Sequence, residues 1–478
     1  MQNAPNCSRR TFLGASAAAA LSYMFLPGIG RVQAQPYIKT IPGDYSGRLC
    51  LNENPLGPAP EAIAAMNDAA MLSHRYPDWY SGNLEATIGA QFGLSATNVC
   101  VGAGATEVIT LVADAFIGPG DEVIMATPTY TQMAAEANAN GGSVVYVPVD
   151  GNQVIDLAAI QSAIGPSTRM ISLVNPNNPL ATVFHKNDMQ AFMNALPAGI
   201  VVVVDEAYHD YVLTADYESC IRYVTEGEPL VVIRTFSKVH GLAGARVGYA
   251  VASTSDITQI GSNQQWGTVS RASQDAAQAS LGATTHINAT VTLANQAKAL
   301  LIAGLTDMGL DYIPSEASFM MFDCGTSASS VVSQLDAQGY CVRSGSGYSM
   351  PQHIRISTGT LEETQGFLDA LESILYTGVN DDPGIPDQLA FNSVYPNPFN
   401  GRCRLSISVP GDEPVHLAIY DLAGRKLRTL VAGPLGRGKH EIVWDGKDHA
   451  GRTVAAGSYV LNLVQGEFAA SRRVAFVK

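Results

Sequence analysis

Charge is scarce in this chain, and basic charge is scarcer still. Only 15% of the 478 residues are charged, and 28 Lys and Arg face 42 Asp and Glu, for a formal net charge of −14. No basic stripe runs along any segment, which argues against nucleic acid as a partner. An acidic balance mainly favours solubility. Cysteines are few, seven in all, and their spacing matches neither a zinc cluster nor a disulfide knot. Beyond Cys7, the six at Cys50, Cys100, Cys220, Cys324, Cys341 and Cys403 read mostly as buried thiols, and no metal site is expected. The Ala-rich stretch that ends at about Pro27 is too short to span a bilayer comfortably. What is present is apolar residue in quantity, 46% of the chain. That is ample for a large core, and the length fits about three domains.

The first residues read as an address. Ser8-Arg9-Arg10-Thr11-Phe12-Leu13 is a twin-arginine pattern, followed by the mildly apolar stretch and by Val32-Gln33-Ala34, with small residues where a cleavage site needs them. Residues 1–34 resemble a removed twin-arginine export signal. That route carries folded proteins, and it places the mature chain in the periplasm, at the cell surface or outside the cell.

From about Ser46 to Tyr376 apolar strands alternate with helical stretches. Glu122–Ala126, Arg169–Val174, Val201–Val204, Leu230–Thr235 and Val247–Ala252 are short and nearly continuous in apolar residues, as in a sheet buried on both faces. Thr106–Phe116, Met189–Ala195 and Val291–Leu305 read as helices. This is an α/β chain. The turn-rich segment Asn380–Asp387 is a linker. Beyond it the pattern changes to period two, as in Leu405/Ile407/Val409 and Tyr459/Leu461/Leu463. About seven strands separated by turns predict a small all-β sandwich.

The chemistry collects at strand ends. Leu230-Val231-Val232-Ile233 leads into Thr235-Phe236-Ser237-Lys238, and Arg246 follows eight residues later. A lone lysine after a strand is ordinarily a surface residue. Here it joins others. Val201–Val204 ends in Asp205-Glu206-Ala207-Tyr208, Val174 leads into Asn175-Pro176-Asn177-Asn178-Pro179, and Val101-Gly102-Ala103-Gly104-Ala105-Thr106 opens a helix. Tyr130 follows the strand Glu122–Ala126. Ligands gather beyond the carboxyl ends of strands in open α/β sheets. One ligand needs all of these groups: pyridoxal phosphate. Its aldehyde takes a lysine, its pyridine nitrogen an aspartate, its ring face an aromatic, and its phosphate a helix N-terminus, hydroxyls and an arginine.

On these motifs, together with Leu51–Pro58 and Arg75-Tyr76-Pro77-Asp78, the chain from about Leu51 to Leu375 resembles fold-type I pyridoxal-phosphate aminotransferases of the histidinol-phosphate aminotransferase-like group. The resemblance implies a large domain of about 68–275 on a mainly parallel seven-stranded sheet, and a small α/β domain from 35–67 plus 276–378. It makes Lys238 the Schiff-base lysine and proton shuttle, and pairs Asp205 with the pyridine nitrogen. Asn178 and Tyr208 would meet the phenolic oxygen, and Tyr130 would stack on the ring. Ala105, Thr106, Thr235, Ser237 and Arg246 would surround the phosphate, with Tyr76 supplied by the neighbouring subunit of a homodimer. Arg355 would take the substrate α-carboxylate and Arg343 a distal acidic group, with a further substrate contact at Asn54. The substrates would be an amino donor and a 2-oxo acid. One departure stands out: the Pro-Thr-Gly usual after the paired asparagines is Pro179-Leu180-Ala181 here, which is expected to shift the loop carrying Asn178.

After a linker at 379–391, residues 392–478 carry Tyr395-Pro396-Asn397-Pro398-Phe399-Asn400, Tyr420-Asp421-Leu422-Ala423-Gly424-Arg425 and Trp444-Asp445-Gly446. These resemble FlgD-type Ig-like modules and type IX secretion sorting domains, which implies a contact with the cell surface or secretion machinery. Two other readings stay open: a different reaction on the same scaffold, such as a threonine-phosphate decarboxylase-like enzyme, a lyase or a racemase, and a decayed, non-enzymatic surface protein.

Overall fold

Apolar strands that alternate with helices leave the chain one way to bury both faces of a sheet, and the computed structural model shows that arrangement. It describes residues 45–377, 389–466 and 468–477. The expected leader at 1–34 and most of the linker lie outside the described residues. Among the described residues no helix is long and apolar enough to cross a membrane.

A short strand β1 (Gly47–Arg48) comes first. The large sheet holds β2 (Val99–Gly102), β3 (Glu122–Thr127), β4 (Ser143–Pro148), β5 (Thr168–Val174), β6 (Val201–Asp205), β7 (Leu230–Thr235) and β8 (Gly248–Val251). Their order is β2-β8-β7-β6-β5-β3-β4. The β3–β4, β3–β5, β5–β6 and β6–β7 pairs are parallel, and β8 alone runs against its neighbours. Val202, Val203 and Val204 in β6 are essentially inaccessible to solvent. Each such side chain contributes about 1.5–3 kcal/mol of burial free energy. The helix Pro60–Ala70 packs on this side through Ala59 and Ala62, so it crosses the boundary expected near residue 67.

The small domain sheet has the order β12-β13-β10-β9. It comprises β9 (Tyr312–Ile313), β10 (Phe319–Asp323), β12 (Arg343–Ser344) and β13 (His353–Ser357). The remaining strand, β11 (Tyr340–Cys341), pairs in parallel with β1. The helices Thr284–Asp307 and Leu361–Thr377 cover the core of this domain.

One bond answers the pairing that the cysteine spacing left open. Cys50 and Cys341 form a disulfide with a Cα–Cα distance of 5.3 Å. Cys100, Cys220, Cys324 and Cys403 are buried thiols as expected.

The C-terminal module has the seven strands the period-two pattern implied: β14 (Ala390–Tyr395), β15 (Cys403–Val409), β16 (Pro414–Asp421), β17 (Lys426–Pro434), β18 (Gly438–Trp444), β19 (Gly457–Gln465) and β20 (Phe468–Phe476). They form two antiparallel sheets, β14-β15-β18 and β17-β16-β19-β20. Trp444 fills the space between them against Phe399 and Tyr459. Tyr395 donates to the Thr306 carbonyl at 3.2 Å, and Arg404 pairs with Glu372 at 3.0 Å. The sandwich therefore touches the two helices of the small domain.

Candidate active site

The sheet order lays out the site. The carboxyl ends of β2 and β7 and the amino end of the reversed β8 lie side by side. They bring the helix start at Gly104, then Ser237 and Lys238, then Arg246 to one place. Arg246 Nη2 donates to Thr106 Oγ1 at 3.4 Å and Nη1 to Ser237 Oγ at 3.4 Å. These three residues converge around a helix N-terminus whose first amides have no helical partner, the arrangement that holds a phosphate. Ala105 is the second residue of that helix. Ser237 N–H donates to Thr235 Oγ1 at 3.1 Å, so Thr235 shapes the loop. Glycine is required here. A Cβ at Gly104 would overlap the Arg246 guanidinium, and one at Gly248 would overlap the backbone nitrogen of Ala105.

The next strands in the sheet bring the ring end. Asp205 ends β6. Its neighbour Glu206 points elsewhere, forms an ion pair with Arg234 at 2.8 Å and accepts a hydrogen bond from the Ser219 hydroxyl. Burial raises the Asp205 carboxyl to about 6, against the lowering effect of the Ala207 N–H and of Lys238. A buried acid of this kind is a site for a proton-bearing cation. Lys238 Nζ donates to the Leu51 carbonyl at 3.1 Å and lies 5.5 Å from the Tyr208 ring centroid. Burial first, then the nearby Arg355 charge, lowers the Lys238 ammonium to about 8. Tyr130 is half-buried, and its hydroxyl donates to Gln132 at 3.2 Å. Burial and then Asp205 raise its phenol above the ordinary value.

The substrate side comes from the small domain. Arg355 on β13 is only 5% exposed. Its Nη1 donates to Asn178 Oδ1 at 2.7 Å and its Nη2 to the Cys50 carbonyl at 2.8 Å. Its Nε is buried without a hydrogen-bond partner. Because Asn178 accepts through Oδ1, its Nδ2 remains the group that can donate. Ala181 takes a φ of 63°, a left-handed conformation that costs a non-glycine residue about 1–2 kcal/mol. Arg343 stands directly opposite Arg355 in the β12–β13 pair.

One expectation needs adjusting, and one further residue joins the site. Asn54 is not a substrate contact in this geometry. Its Nδ2 donates to the Val239 carbonyl at 2.9 Å and to Thr290 at 3.1 Å, and its Oδ1 accepts from Leu56 N–H. Both its donors go into tying this segment to the Val239 loop and to the helix that carries Thr290. Asn52 is the residue that was missed. It donates from Nδ2 to the Tyr208 hydroxyl at 2.9 Å and is locked in turn by Ser357. It takes a left-handed φ of 54°, and the only sequence signal was its place in the Leu51–Pro58 motif. Tyr76 is 85% exposed on the surface, and this chain does not bring it to its own site.

Comparison with known proteins agrees with this geometry. Residues 48–371 match the family model of class I and II aminotransferases. The chain belongs to that family. Histidinol-phosphate aminotransferase from Moorella thermoacetica is 35% identical over 329 residues, covering 69% of this chain and 85% of the relative. The enzyme of the same name from Symbiobacterium thermophilum is 35% identical over 332 residues, with coverages of 69% and 91%. The crystal structure of histidinol-phosphate aminotransferase from Sinorhizobium meliloti in complex with pyridoxal-5'-phosphate superposes with a TM-score of 0.66 at 25% identity, covering 73% of this chain and 99% of that one. Residues 396–467 match the FlgD Ig-like domain.

This aminotransferase is a pyridoxal-phosphate enzyme, and its residues fit the cofactor. The buried carboxyl of Asp205 and the glycine-lined phosphate cup lie at the strand ends of the large sheet, and the small domain contributes the orphaned Nε of Arg355. The lowered lysine has a measurable consequence. Lys238 is mainly protonated below about pH 8 and mainly the free, attacking amine above it. The rate at which cofactor-free protein takes up pyridoxal phosphate covalently will therefore rise with pH through a midpoint at about 8 and level off above it, as followed by stopped-flow absorbance. A rise that continues to pH 10 would contradict this placement of the lysine.

Proposed function

We propose that this chain is an exported aminotransferase that moves an amino group from an acidic amino acid or related amine to a 2-oxo acid. The observation that carries the proposal is Arg355, buried and oriented by Asn178 and the Cys50 carbonyl, in the same electrostatic field as Lys238. A buried guanidinium with an unpartnered Nε is suited to a planar carboxylate. Pyridoxal phosphate, when bound, supplies the carbonyl that captures the amine and the ring that accepts the electrons of the α-C–H bond. The chain's own groups do the rest. Arg355 fixes the α-carboxylate and Asp205 keeps a proton on the pyridine nitrogen. Asn178 and the Tyr208 hydroxyl, itself held by Asn52, orient the phenolic oxygen. Lys238 would take the α-proton and deliver it two atoms away, across the nitrogen, to the carbon that had been the cofactor's aldehyde.

The pair Arg343–Arg355 supports an acidic substrate. Like charges directly opposite on two strands repel, and a second anionic group on the substrate relieves that repulsion. A homodimer supports the role of Tyr76, whose exposed ring would complete the phosphate site of the neighbouring subunit. Export is supported by the twin-arginine pattern and by the buried Cys50–Cys341 bond, because such bonds persist in oxidising compartments. An enzyme placed there is separated from histidinol phosphate, a cytoplasmic intermediate, so we assign another donor. The C-terminal sandwich would hold or address the enzyme at the cell surface.

A panel of amino donors with 2-oxoglutarate or pyruvate, run on protein lacking residues 1–34, tests the reading. Glutamate-like or phosphorylated donors are expected to be preferred. Arg343→Ala should lower kcat/KM for them by about 10–100-fold, the worth of a hydrogen bond to a charged group, while neutral donors change little. A uniform response removes the distal-anion role. Carbon dioxide release without a 2-oxo product overturns transamination.

A further inference from the structure

Three consecutive residues after the first strand each hand one polar group to the site. The Cys50 carbonyl accepts from Arg355 at 2.8 Å, the Leu51 carbonyl accepts from Lys238 at 3.1 Å, and Asn52 donates to Tyr208 at 2.9 Å. The first of these residues is bonded covalently to Cys341, which lies two positions before Arg343. The disulfide therefore joins the carbonyl that orients one arginine to β11, which runs through Val342 into the strand β12 that carries the other. Other ties hold the segment too. Leu49 N–H donates to the Cys341 carbonyl at 2.8 Å, and Ser357 N–H donates to the Leu49 carbonyl at 2.9 Å. Those are exchangeable hydrogen bonds; among the described residues the disulfide is the one covalent restraint on the segment.

We propose that the Cys50–Cys341 disulfide is a positioning clamp for the paired arginines, so that affinity for acidic substrates is set by oxidation of these two cysteines. The inference rests on Arg355 as the carboxylate-binding residue. Opening the clamp takes a dithiol reductant. Its thiolate attacks one sulfur, its second thiolate closes it to a cyclic disulfide, and Cys50 and Cys341 each gain a proton and, between them, two electrons. A disulfide oxidant such as oxidised glutathione reverses the step and leaves as two thiols. Both sulfur-bearing residues are buried, Cys50 at 0% and Cys341 at 7% exposure, so exchange at this bond proceeds through local opening of the segment and is slow in the folded protein. Folded protein made in a reducing compartment would carry the softer site. Oxidation after transfer would sharpen it.

The test uses cofactor-loaded protein lacking residues 1–34, with succinate as an unreactive carboxylate probe. In denaturant, four thiols are expected before reduction, those of Cys100, Cys220, Cys324 and Cys403, and two more after it. Succinate binding is measured by calorimetry on three samples: the oxidised protein, protein reduced with dithiothreitol and freed of it under argon, and the double variant Cys50→Ser/Cys341→Ser. Reduction should raise Kd about tenfold, the effect of loosening one hydrogen bond to a charged group. Amide exchange should quicken across Leu49–Asn54, and oxidised glutathione should restore both values. The reduced wild type keeps the test valid if the double variant folds poorly. A merely structural bond would lower the melting temperature and leave Kd unchanged, which overturns the proposal. So does a count of six thiols before reduction. Failure of the oxidised protein to bind succinate instead overturns the assignment of Arg355, and the clamp with it.

Discussion

Lys238→Ala protein is expected to fold, to bind pyridoxal phosphate without a covalent bond, and to turn over at least about 10⁴-fold more slowly than the parent. The size follows from losing two roles together. Positioned proton transfer alone is worth about 10²–10⁴, and covalent capture of the cofactor adds to it. The folded state should tolerate the change, because the lysine is a strained charge there. Burial and Arg355 both push its ammonium down, to about 8. Two measurements check the result: loss of the absorbance band of the lysine-bound cofactor, and the turnover rate. Normal turnover in Lys238→Ala would end the case for this site.

Asp205→Asn should separate catalysis from stability in opposite directions. With the cofactor bound, the variant loses the charge that keeps the pyridine nitrogen protonated, and turnover should fall by about 10²–10³, as for other preorganised electrostatic groups. Without the cofactor the sign reverses. The carboxyl is raised from its ordinary 3.8 to about 6 by burial. A raised acid contributes stability below its unfolded value, near 4, and that contribution is lost as pH rises through about 6. Asparagine carries no such charge. The cofactor-free variant should therefore melt higher than the parent above pH 6 and no higher at pH 4. Equal melting curves at pH 8 would show that Asp205 is not desolvated.

The strand-end chemistry was legible because strands buried on both faces leave almost continuous apolar runs, and the polar residue that ends each run stands out. Asp205, Lys238, Asn178 and Thr106 were found in this way. The direction of β8 was not legible, since an apolar run reads the same in either direction. Asn52 was hidden for another reason. Its partners Tyr208 and Ser357 lie far away in sequence, and its role depends on a left-handed backbone that no periodicity announces. Asn54, two residues on, carries the same side chain in the same motif but ties it to the Val239 carbonyl and to Thr290 on a helix. The Cys50–Cys341 bond spans 291 residues, and pairing among several cysteines cannot be solved from spacing alone.

The reversed strand β8 has a consequence for the order of assembly. The phosphate cup takes Thr106 from beyond β2, Ser237 from beyond β7 and Arg246 from before β8, and β2 pairs only with β8. The first and last strands of the large sheet must meet before the cup exists. Such distant pairings are slow, because the chain between them is ordered before the contact rewards it. Cofactor capture can then occur only on a completed sheet, and it favours that state by mass action. A cell that loads this enzyme before moving it would be selecting finished molecules from unfinished ones.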